Sequence, residues 1–79
     1  MFYTYILKST RTGEYYIGYT GDLYQRLYEH NKNRVKATRG KGPWKVFNRE
    51  KFLTEYEAIR RERQIKSWKS RRMIERLKF

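Results

Sequence analysis

The sequence predicts an α+β fold, a small three-stranded antiparallel sheet flanked by helices in the order ββαβαα. Three observations lead there. Two short runs rich in aromatic and β-branched residues open the chain and are joined by turn chemistry, which reads as a hairpin. A third such run lies mid-chain, and it is framed by segments with helix-start signals. Residues 1–79 are short enough for one domain with one modest core, and 38% hydrophobic and 18% aromatic content is enough to build it.

The first strand is expected over Phe2-Tyr3-Thr4-Tyr5-Ile6-Leu7-Lys8, and Ser9 to Glu14, with Gly13 near its end, supplies the turn. Tyr15-Tyr16-Ile17-Gly18-Tyr19 is the second strand. With the turn centred near Arg11 and Thr12, Leu7 faces Tyr16 and Tyr5 faces Gly18, so Tyr5, Tyr16 and Gly18 share one side of the hairpin. Asp22 is a good N-cap for a helix carrying Leu23 and Leu27, and Asn31 and Asn33 mark its end. Residues 31–43 form a basic connector broken by Gly40 and Gly42. The third strand runs from Trp44 to about Phe52, alternating cleanly at Trp44 and Val46 and less so beyond. Thr54 and Glu57 fit a capping box for a helix reaching Lys66 or Trp68. Ser70 caps a last turn or two with Met73, Ile74 and Leu77. Trp68, Ile74, Leu77 and Phe79 are candidates for core or interface.

Charge narrows the function. Twenty Lys and Arg against eight Asp and Glu leave a formal net charge of +12, which in a compact domain calls for a polyanion, with nucleic acid foremost. A membrane surface is the rival, but the helical segments carry only narrow apolar stripes, and no apolar run reaches spanning length. There is no cysteine, so disulfides and thiolate metal sites are excluded. A cytoplasmic location is expected.

Glu62 is the oddest residue. At about 100° per residue it shares a narrow helical arc with Ala58 and Ile65, with Ile59 on the shoulder. A carboxylate there needs a cation, a metal or strong donors. An ion pair with Lys66 or a cross-core Arg competes evenly with a metal or catalytic role. Arg26 and His30, four apart, flank the Leu23/Leu27 stripe and can lean toward the sheet, where an Arg and the only His suit a phosphate and a proton; a structural His is the plainer alternative. Gly18 inside a strand marks a close approach to the backbone. Tyrosines in a small sheet otherwise serve as packing.

Taken together, Tyr16-Ile17-Gly18, preceded by Tyr5 and followed by Arg26, His30 and Glu62, resembles a GIY-YIG nuclease domain. Tyr3-Thr4-Tyr5 stands where the family has Gly-Ile-Tyr. Thr38-Arg39-Gly40, Pro43-Trp44 and Glu57-Ala58 before Arg61-Glu62 extend the likeness to about residues 2–68. It is similar to the short single-domain bacterial branch and to the catalytic domains of excision-repair and structure-selective nucleases. The resemblance implies a DNA endonuclease of repair or recombination. In it Glu62 would bind one divalent metal, Mg²⁺ or Mn²⁺, and Arg26 would sit by the scissile phosphate. Tyr5 and Tyr16 would position or deprotonate water, with His30 assisting. Clustered carboxylates for a second metal are missing, since Asp22 is the only Asp and the glutamates are scattered. Lys32, Arg34, Lys36, Thr38, Arg39 and Lys41 are the expected DNA track, directed at the backbone or at branched or single-stranded DNA structure. A non-catalytic nucleic-acid-binding module of the same fold, or a domain active only with a protein partner, is the alternative.

Overall fold

The computed structural model describes residues Met1 to Lys78; Phe79, a candidate for core or interface, lies outside them. Strand β1 spans Phe2–Ser9 and β2 spans Tyr15–Thr20. Helix α1 spans Leu23–Asn31, and a 3-10 turn at Lys36–Thr38 leads into β3, Trp44–Phe52. Helices α2, Glu55–Trp68, and α3, Arg71–Glu75, complete the expected ββαβαα order.

The sheet order is β2-β1-β3, antiparallel throughout. The central β1 is covered on both faces, which is why Tyr5, Ile6 and Leu7 are all buried where a half-exposed strand would alternate. On one face Tyr5, Leu7 and Trp44 pack with Leu23 of α1, joined by Tyr3, Tyr16, Leu27 and Val46. On the other, Ile6 meets Ile65 of α2 and Ile74 of α3, with Tyr15, Ile17, Phe47, Trp68 and Leu77 around them. Trp68, Ile74 and Leu77 are therefore core residues. The hairpin register pairs Tyr5 with Gly18 and Leu7 with Tyr16, the pairing that the turn position predicts. The untidy alternation of β3 has a local cause: its register against β1 shifts between Ile6 and Leu7, which puts one extra residue into β3 there.

The helix starts follow their caps. Asp22 accepts from the Gln25 backbone N–H, Thr54 and Glu57 form both halves of a capping box, and Ser70 accepts from Met73. The connector after α1 is tied down at several points. The Asn31 side chain brackets the Trp44 backbone, receiving Trp44 N–H at 2.7 Å and donating to its carbonyl at 3.1 Å. Ser9 Oγ donates to the Lys41 carbonyl at 2.6 Å, and Trp44 Nε1 donates to the Thr38 carbonyl at 3.3 Å. These bonds hold the 3-10 turn against α1, where the side chains discussed below converge.

Candidate active site

The site begins with Tyr5. It points from the centre of β1 toward β2, and its ring lies across the backbone of the facing Gly18. A Cβ on Gly18 would sit 2.6 Å from the Tyr5 hydroxyl oxygen, 2.7 Å from Cζ and 3.2 Å from Cε2 of Tyr16. The two contacts to Tyr5 are shorter than a Cβ can make without something moving, so the strand needs glycine here for steric reasons. The close approach expected from the sequence is made by the protein's own phenol.

The Tyr5 hydroxyl is 2.9 Å from Nε2 of His30, which reaches in from the last turn of α1. Both residues are buried, at 1% and 0% exposure. Tyr16 completes the aromatic group, its ring 4.9 Å from the His30 ring and 6.4 Å from that of Tyr5. Arg26, one turn earlier on α1, carries its guanidinium beside Tyr5 and pairs with Glu29 at 3.0 Å, with its side chain 37% exposed. It is thus anchored at one end and open to solvent, as contact with a phosphate requires.

Burial sets the proton affinities. It pushes the Tyr5 phenol up to about 12, with the neighbouring Arg26 guanidinium pulling the other way and the charges of Tyr16 and Glu62 adding to the rise. Burial, reinforced by the positive charge of Arg26, pushes His30 down to about 4, so at neutral pH the ring is uncharged. The unfolded chain binds that proton near pH 6.5 and the native one only near 4. Stability should therefore be full above about pH 6.5 and fall as the pH drops toward 4, by up to roughly 3 kcal/mol. Urea midpoints between pH 7 and 4, with the ¹⁵N shifts of the single His, check this; a ring that titrates near 6.5 in the native state contradicts it.

Glu62 comes from another element. It belongs to α2, on the opposite side of the sheet from α1, between the buried Ala58 and Ile65. Its side chain is 15% exposed, and Oε2 pairs with Lys66 Nζ at 3.1 Å. Its charge bears on Tyr5, but no hydrogen bond links it to Tyr5, Tyr16, Arg26 or His30. The structure thus joins four of the five predicted groups by direct contacts, with the Glu62 carboxylate near enough for its charge to act on Tyr5. Among the described residues no three His, Cys, Asp or Glu converge. A metal at Glu62 would take its remaining ligands from water and substrate oxygens, which suits Mg²⁺, an ion that keeps several waters and uses one or two carboxylates.

The expected DNA track is only partly a track. Lys32 and Arg34 lie 5.6 and 5.5 Å from the ring centre of Tyr28, and Lys36 and Arg39 are exposed. Lys41, in a connector with no acid of its own, pairs at 3.6 Å with Glu14 of the hairpin turn. Thr38 departs from expectation. It is buried, and its hydroxyl is 2.7 Å from His30 Nδ1, so it serves the histidine and is not placed to meet a phosphate. Sequence reasoning placed Thr38 with its basic neighbours because only folding shows which way it turns.

A two-sided sheet with a Tyr–His–Arg cluster under a basic connector defines a class. The family model described as the GIY-YIG catalytic domain matches residues 1–76, and the chain belongs to that family of nucleases. Among its relatives are UPF0213 proteins. That of Bacillus pumilus is 40% identical over 67 residues, covering 84% of this chain and 67% of the relative. That of Halobacterium salinarum is 40% identical over 67 residues, covering 84% and 86%. The solution NMR structure of the UPF0213 protein BH0048 from Bacillus halodurans aligns with a TM-score of 0.58 at 38% identity, over 98% of this chain and 82% of that one. No helix among the described residues is long and apolar enough to cross a membrane.

Proposed function

We propose that this chain is a DNA endonuclease that hydrolyses phosphodiester bonds with one divalent metal held by Glu62. The observation that carries the reading is the buried Tyr5–His30 hydrogen bond of 2.9 Å beside the solvent-open Arg26. A tyrosine hydroxyl bonded to a neutral imidazole is a proton path, and a guanidinium next to it is a seat for the phosphate whose attack needs that path. The metal, when bound, supplies charge stabilisation at the leaving oxygen.

Arg26 neutralises the non-bridging oxygens and orients the phosphate over the aromatic group. An attacking water gives its proton to the Tyr5 oxygen as Tyr5 gives its own to His30 Nε2. The water oxygen bonds to phosphorus, the bond to the leaving oxygen breaks, and that oxygen takes a proton from solvent. Tyr16, packed at a tilt against His30, helps hold the ring in place. Magnitudes favour a concerted transfer. With Tyr5 near 12 and His30 near 4, full ionisation of the pair before substrate arrives would cost on the order of 10 kcal/mol, most of the roughly 17 kcal/mol barrier of a one-per-second reaction. An arriving phosphate dianion-like transition state favours a positively charged His30, so the cost falls when the substrate is in place.

The basic connector gives this site a backbone-directed grip, suited to DNA structure more than to a long sequence, in repair or recombination. The Glu62–Lys66 pair favours a second reading, a binding module without catalysis, because it satisfies the carboxylate without a metal. Plasmid, branched and single-stranded DNA incubated with and without Mg²⁺ separate the two. Nicking that needs Mg²⁺ and falls about 10²–10³-fold in Arg26→Ala is expected. DNA that is bound in a salt-dependent way and never cut by the wild type would leave only the binding module.

A further inference from the structure

His30 has two ring nitrogens, and only one can point a lone pair at Tyr5 while the ring is neutral. The hydrogen bonds around the ring decide which. Thr38 Oγ1 lies 2.7 Å from Nδ1, and on its other side the Val35 carbonyl is at 3.4 Å. A carbonyl can only accept, so it gives the Thr38 proton a partner that leaves the oxygen free to accept from Nδ1–H. The far end of the chain of bonds agrees. Arg26 has only donors to offer the Tyr5 oxygen, so the Tyr5 O–H needs an acceptor elsewhere, and Nε2 at 2.9 Å provides one. With the proton on Nδ1, every donor from Arg26 to Thr38 finds an acceptor. With it on Nε2, the Tyr5 proton has no partner in the group.

We propose that Thr38 is a positioning residue that holds His30 in its Nδ1–H tautomer and so turns the Nε2 lone pair toward Tyr5. The proposal rests on the Tyr5–His30 proton path described above. It gives a role to a residue in the basic connector that the phosphate-track expectation misplaced. The fold supplies the geometry. The 3-10 turn ends at Thr38, its carbonyl is held by Trp44 Nε1, and the side chain is 1% exposed, so the hydroxyl has little choice of partner. During the reaction Nε2 takes the Tyr5 proton, and the imidazolium that results keeps its Nδ1–H bond to Thr38 throughout; no atom of Thr38 is gained or lost.

His30 is the only histidine in the chain, so its ring nitrogens can be assigned without ambiguity in an untagged, ¹⁵N-labelled protein. Long-range ¹H–¹⁵N spectra at pH 7 should show a protonated Nδ1 and a bare Nε2 in the wild type and in Thr38→Ser. Thr38→Val keeps the shape and the backbone carbonyl that Trp44 uses, but it removes the acceptor. It should move the ring to the Nε2–H form and lower cleavage about 10²-fold, the low end for losing a general base, with Thr38→Ser close to wild type. A wild-type ring already in the Nε2–H form, a Thr38→Val ring still in the Nδ1–H form, or a serine variant as impaired as valine overturns the proposal. If no form of the protein cuts DNA but the tautomer responds as described, the endonuclease reading has failed and the assignment of the tautomer to Thr38 has not.

Discussion

Glu62→Gln should abolish most Mg²⁺-dependent cleavage, by about 10²–10³-fold or more, while leaving the protein as stable as the wild type or more so. The two halves of this expectation come from one placement. The carboxylate lies on the stripe of α2 that carries the buried Ala58 and Ile65, and its partner Lys66 is 52% exposed. An i,i+4 pair with one end in solvent contributes about 0.3–0.5 kcal/mol, which does not outweigh the cost of taking a carboxylate largely out of water. Glutamine keeps the shape and can still hydrogen-bond, so the fold loses little. A hard divalent cation held as proposed would lose the carboxylate assigned to it. Metal-free DNA binding should hold or tighten, since a negative charge leaves a protein that already carries a net +12. Nicking assays, fluorescence anisotropy without metal and thermal melts read the three effects together. Wild-type cleavage by Glu62→Gln would refute the metal role. A large fall in melting temperature would show that the carboxylate is structural.

Gly18→Ala carries the second large effect, and it reaches chemistry through packing. The new methyl would overlap the Tyr5 hydroxyl oxygen at 2.6 Å and Cζ at 2.7 Å, and the Tyr5 ring has no free space to enter because it is 1% exposed among Leu7, Leu23 and Trp44. Either β2 moves off β1 or the ring turns. Overpacking of this kind costs roughly 1–3 kcal/mol, to be seen as a lower urea midpoint. Either relaxation also pulls the hydroxyl from His30, so cleavage should fall as far as in Tyr5→Phe, and the His30 ¹⁵N shifts should move with it. An alanine variant with wild-type stability and activity would mean that the Tyr5 ring does not sit across the strand as described.

Local signals carried most of the fold. The caps at Asp22, Thr54 and Ser70 are read from a few neighbouring residues, because a helix start needs only a side-chain acceptor and the next turn's N–H groups. The hairpin register followed from the position of one turn, since side chains alternate and a slip of one residue would exchange the two faces. The β3 bulge could not be seen this way. It is a mismatch between two strands far apart in sequence, and it appears in the chain only as imperfect alternation after Val46. The C-terminal residues were also ambiguous alone. Apolar side chains look the same whether they meet Ile6 or another molecule, and only their packing against the second face of the sheet decided for Trp68, Ile74 and Leu77.

The candidate site divides along the same line. The amino-acid pattern reveals the kinds of groups and their rough sides: a strand glycine that marks a close approach, Arg26 and His30 on one helix edge, and a carboxylate on the apolar stripe of α2. Periodicity is a property of a single element, so these are readable without the rest of the chain. Which groups meet is set by the packing of distant elements. That packing put the Tyr5 phenol on Gly18 and against His30, turned Thr38 inward to the ring, paired Lys41 with Glu14, and paired Glu62 with Lys66 while keeping its charge within reach of Tyr5. Those choices depend on burial and on hydrogen-bond partners brought from distant positions. A buried hydroxyl must find whichever acceptor the fold places beside it, and no local pattern names that acceptor.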